Sequence, residues 1–113
     1  MYEEKVILCG ANAYEKNYYL NPDFVSLPTI IKDELKVMCV LYTEEIGGVL
    51  TLAFDEEGKL CFEVTAKETD FAFDEIGSAL KIKELQKEKL DLLESVQMYY
   101  NVVVGRKCDV TGN

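Results

Sequence analysis

The chain has 113 residues, of which 49% are hydrophobic, enough for one domain that buries its own core. Its 21 acidic against 12 basic residues give a net charge of -9, so phosphate backbones and anionic membranes are poor partners. It has no histidine, and its four cysteines, Cys9, Cys39, Cys61 and Cys108, never form a CxxC pair, which removes Cys–His catalysis and histidine-ligated zinc.

Lys5-Val6-Ile7-Leu8-Cys9, closed by Gly10, reads as a strand, and the tyrosine-rich segment Tyr14–Leu20 reads as its return. Asn21-Pro22-Asp23 breaks this hairpin. Ser26-Leu27-Pro28 is a helix entrance, because proline is tolerated in a first turn whose N–H groups have no partner. Ile31, Leu35, Met38, Tyr42 and Ile46 then recur at steps of three and four, one face of a helix over 28–46. Gly47-Gly48 ends it, since glycine takes the left-handed cap without a Cβ penalty.

Leu50, Leu52 and Phe54 alternate with Thr51 and Ala53 up to the turn Asp55–Gly58. Leu60, Phe62, Val64 and Ala66 then alternate with Cys61, Glu63, Thr65 and Lys67, so the two runs predict a hairpin with one buried face. In the last third, Ile82, Leu85, Leu92, Val96, Tyr99 and Val103 mark a helical apolar face that Lys89 interrupts. One helix over 71–104 would be roughly 50 Å long, against a radius of gyration of roughly 13 Å for such a domain. Either it breaks, with Gly77 as the candidate, or it overhangs and needs a partner, of which a second copy is the simplest. Val102-Val103-Val104 is β-branched and suits its end.

The expected architecture is α+β: a two-layer ββαββα domain over 1–104, with an antiparallel sheet, one medium helix and one long C-terminal helix. Residues 105–113 are expected to be a flexible tail. The acidic start has no apolar run after it, no stretch approaches the length of a membrane span, and a cytoplasmic setting is expected.

Three constellations bear on function. Cys9, beside Gly10 and Asn12, would be a nucleophile or ligand site if a turn followed the strand, but no histidine serves as its base. If the first helix runs up and the next strand down, Glu44, Glu45, Glu68, Asp70, Asp74 and Glu75 meet at one end. Such an acidic rim suits a lysine- or arginine-rich partner or a hard divalent cation. The blander expectation is that they are solvated or cap helices, as Asp70, Asp74 and Glu75 would at a helix start. Tyr14, Tyr18 and Tyr19 with Phe24 form a candidate aromatic patch. There is no phosphate loop and no EF-hand pattern.

Cys9-Gly10-Ala11-Asn12-Ala13-Tyr14-Glu15 and Tyr18-Tyr19-Leu20-Asn21-Pro22-Asp23-Phe24 are distinctive, as is the run from Lys32 to Leu41 followed by Gly47-Gly48. With Asp74-Glu75-Ile76-Gly77-Ser78 they resemble a small bacterial protein family of unknown function over about residues 5–100. That resemblance implies a cytoplasmic bacterial protein and brings no cofactor or catalytic residue with it. The expected function is a non-catalytic interaction or regulatory domain, acting as a homodimer or on a basic protein. The alternative is a small-molecule or divalent-metal-binding domain built on the Cys9 turn or the acidic rim.

Overall fold

A computed structural model describes residues 5–103. The elements run β1 (Val6–Asn12), β2 (Asn17–Leu20), a short 3-10 turn (Pro22–Phe24), α1 (Thr29–Glu45), β3 (Val49–Phe54), β4 (Leu60–Thr65), α2 (Glu75–Glu88) and α3 (Leu90–Val103). All strand pairs are antiparallel, in the order β2-β1-β3-β4. The α+β expectation is met: four strands form one sheet with helices packed on it. The expected tail 105–113, with Val104 and Cys108, lies outside the described residues.

The N-terminal hairpin differs from its sequence outline. β1 continues through Gly10 to Asn12, because Gly10 pairs with Tyr19 on one side and Thr51 on the other. The turn that follows is held by Asn12, whose Oδ1 accepts the amides of Tyr14 (2.8 Å) and Glu15 (3.1 Å). Early in β1 the register against β3 shifts between Ile7 and Cys9. This bulge places both Leu8 and Cys9 in the buried layer.

α1 begins at Thr29, with Pro28 in the capping position, and its face Leu35, Met38, Cys39 and Tyr42 lies on the sheet. Gly47 and Gly48, at φ +93° and +75°, turn the chain into β3. A Cβ on Gly48 would come within 2.8 Å of both the Phe73 ring and the Thr65 carbonyl oxygen, so only glycine fits this crossing.

The long C-terminal helix divides. It breaks at Lys89, not at Gly77, giving α2 and α3. Lys89 leaves the helical region (φ -107°, ψ 26°), although its N–H still reaches the Leu85 carbonyl at 2.8 Å. A straight helix would put the exposed Lys89 on the face that buries Leu85 and Leu92. The break lets both leucines reach the core while the ammonium stays in water. Gly77 instead sits in the first turn of α2 and donates its N–H to Asp74 Oδ1 at 3.0 Å.

α3 closes the lower end of the core. Tyr100 stacks on Phe54 with ring centres 3.8 Å apart and planes 6° apart, and Phe24 lies 5.8 Å from Phe54. Gln97 accepts the Leu60 amide and donates to the Gly58 carbonyl, tying α3 to the β3–β4 turn.

Candidate functional site

Strand alternation splits the tyrosines. Ala11 pairs with Tyr18, and Gly10 with Tyr19, so Tyr18 faces the helices while Tyr19 lies on the opposite face of the sheet, 53% exposed. Tyr14 does neither. Its hydroxyl donates to Asp70 Oδ2 at 2.6 Å and accepts from the Lys67 amide at 3.1 Å, with the Lys67 ammonium 4.7 Å from its ring centre. Phe24 belongs to the core. The three tyrosines therefore do not form one patch.

The topology brings the six rim carboxylates to the end of the domain where α1 stops and α2 starts, and three of them have local work there. Asp74 caps α2, Asp70 is bound by Tyr14, and Glu45 pairs with the Lys81 ammonium at 3.2 Å. The Glu45 carboxylate raises the Lys81 pKa, with lesser help from Glu84. Glu68, Asp70 and Glu75 share a groove between β4 and α2, floored by Phe62, Val64 and Ile82. Glu44 stands apart from that groove. Among the described residues no group of three or more Cys, Asp or Glu side chains is placed to hold a metal ion.

Two further hollows flank α1. A cleft of about 610 Å³ between the β1–β2 turn and α1 is lined by Asn12, Lys16, Tyr18, Lys36, Thr43 and Glu44, among others. A second hollow, about 450 Å³, lies between α1 and α2, with Val37, Leu41 and Leu85 among its apolar residues and Glu45, Lys81 and Glu88 among its charged ones.

Cys9 is in mid-strand and 0% exposed, so no turn amides surround it, although a small hollow lined by Gly10, Tyr19 and Thr51 borders it. Its neighbours are Cys39 of α1, with sulfurs 3.9 Å apart, and Tyr18. The Tyr18 hydroxyl is buried without a hydrogen-bond partner. Burial first, then the adjacent Cys9 and Cys39 thiols, push its pKa far up.

Sequence reasoning missed one feature of α1. Ile30, Val37 and Leu41, at steps of seven and four, make a second apolar stripe outside the core face, 66%, 54% and 57% exposed. Ile76 and Leu80 repeat the pattern on α2. The same periodicity count that found the buried face contains this signal.

A model of a family of unknown function, DUF6145, matches residues 5–108, and the chain belongs to that family. No curated protein and no solved structure gives a significant match.

Proposed function

We propose that this protein is a non-catalytic interaction domain that acts as a homodimer through the outer face of its helical layer. The observation behind the proposal is the exposed stripe Val37–Leu41 beside the α1–α2 hollow. Apolar residues grouped on one face, rimmed by charges, are the usual mark of a protein-binding surface. The rim carries both signs, Glu44, Glu45 and Glu88 with Lys81 and Lys89, which suits a two-fold contact in which each charge meets its opposite. The overhanging helix is no longer a reason for a dimer, since the segment folds at Lys89. A cytoplasmic, bacterial setting belongs to the same proposal, as does a basic protein as an alternative partner for the acidic end. Among the described residues no helix is long and apolar enough to cross a membrane.

Light scattering at micromolar concentration tests the reading. The expected mass is twice 12.8 kDa. The double variant Val37→Glu/Leu41→Glu is expected to halve it with an unchanged circular dichroism spectrum. A monomer of the unaltered chain overturns the dimer.

A second reading rests on the cleft beside Asn12. Lys16 and Lys36 line it together in a chain of strong net negative charge, which favours a small carboxylate or phosphate ligand. Thermal-shift titration with small organic anions tests it; no rise in melting temperature with any of them removes it.

A further inference from the structure

We propose that Cys9 and Cys39 are a built-in redox pair, which a hydroperoxide oxidises to a reversible intramolecular disulfide. Cys9 comes from the bulged part of β1 and Cys39 from the middle of α1. The packing of helix on sheet sets their sulfurs 3.9 Å apart, both fully buried. A disulfide needs a separation of about 2 Å, so bonding closes a gap of about 2 Å. Bond formation asks for side-chain rotation or a small approach of α1 to β1.

The surroundings divide the two thiols into different roles. Hydrogen bonding from the Cys39 thiol, helped by the Tyr18 hydroxyl and opposed by burial, holds the Cys9 pKa below its ordinary value. Cys39 is pushed far up, first by that hydrogen bond and then by burial. We assign the first oxidation to Cys9, the strand thiol beside the Tyr18 hydroxyl, and the resolving step to Cys39, whose sulfur lies 3.9 Å away. The buried Tyr18 hydroxyl, unpartnered in the thiol state, has its natural acceptor in a Cys9 thiolate. Cys61 makes the contrast: burial and the Asp55 carboxylate raise its pKa.

The chemistry balances with the peroxide alone. The Cys9 thiolate attacks one peroxide oxygen, the O–O bond breaks, and the departing hydroxide takes up a proton to leave as water. Cys9 is then a sulfenic acid. The Cys39 sulfur attacks the Cys9 sulfur, the S–O bond breaks, and the departing hydroxide takes the Cys39 proton as a second water. Two thiols are oxidised by two electrons, and the peroxide is reduced by two. Access comes from the edge of the sheet. β2 is four residues long and pairs only with β1, so its local opening uncovers Tyr18 and the sulfurs behind it.

The test uses the full chain. Protein treated with hydrogen peroxide under native conditions is unfolded, labelled with N-ethylmaleimide and weighed. Untreated protein takes four labels, one for each cysteine. Treated protein is expected to take two fewer and to give one cross-linked peptide pair, Cys9 with Cys39, that dithiothreitol separates. The Cys61→Ser/Cys108→Ser variant is expected to keep this cross-link. Four labels after treatment, a cross-link through Cys61 or Cys108, a bond between two chains, or sulfinic acid at Cys9 in place of the bond would each overturn the proposal. The peptide map of the unaltered chain decides the matter even where a cysteine variant fails to fold.

Discussion

The Tyr14 hydroxyl and the Asp70 carboxylate, 56 positions apart in the sequence, meet at 2.6 Å. That bond fastens the loop between β4 and α2 to the β1–β2 turn, and the Lys67 amide completes it.

The bond makes alkaline stability depend on Tyr14. The Asp70 carboxylate accepts the phenolic proton and so raises the Tyr14 pKa above its ordinary value. A group whose pKa is raised by folding stabilises the protein fully below its unfolded pKa, here about 10. That contribution is lost as pH climbs from there through the raised value. Urea unfolding followed from pH 8 upward is expected to show stability falling in this alkaline window, and Tyr14→Phe is expected to flatten part of the fall. Parallel pH curves for the two proteins would refute this role of the bond.

Tyr18→Phe is expected to stabilise the reduced protein by about 1 kcal/mol. The hydroxyl is buried and unpartnered, and removing it relieves a desolvation penalty while the ring keeps its place. Chemical denaturation under reducing conditions measures the change. A loss of stability would mean that the hydroxyl has a partner in solution.

The two glycines after α1 are expected to respond unequally to alanine. Gly47 has open space around it, so Gly47→Ala pays only for the left-handed backbone, about 1–2 kcal/mol. Gly48→Ala adds collisions with the Phe73 ring and the Thr65 carbonyl and is expected to cost about 3 kcal/mol or more. Urea midpoints for the pair give the comparison, and equal costs would count against the crossing.

Tyr100→Ala is expected to lower stability by about 3–5 kcal/mol, because it empties the stack on Phe54 and the contact with Phe24. Calorimetry measures it. A change below about 1 kcal/mol would show that α3 does not close the core as described.

Much of this fold is legible where the periodicity is local. Leu50, Leu52 and Phe54 against Leu60, Phe62 and Val64 announce their hairpin, and their cross-strand pairs follow the alternation. Ile31 to Ile46 announce α1 in the same way. The glycines mislead. Gly10 looks like a strand end, yet ladders on both sides hold it in β1, a tertiary influence that local propensity does not register. Gly77 looks like a helix break, yet it occupies the first turn of α2 beneath the Asp74 cap. The break is at Lys89, where the apolar face is interrupted, although no glycine or proline marks it. Of the candidate site residues, the rim carboxylates follow from topology, but their individual bonds to Tyr14, Gly77 and Lys81 depend on loop geometry that no spacing predicts. The meeting of Cys9 with Cys39 needs the bulge and the seating of α1, both set by long-range packing.

The order β2-β1-β3-β4 has a consequence for how the chain matures. β1 precedes the other strands in the chain, yet it lies inside the sheet and gains its second neighbour only when β3 arrives, on the far side of α1. Phe24 and Phe54 then wait for Tyr100, near the other end of the described chain, before their aromatic cluster is complete. A ribosome-bound nascent chain ending short of residue 100 therefore displays an unfinished core.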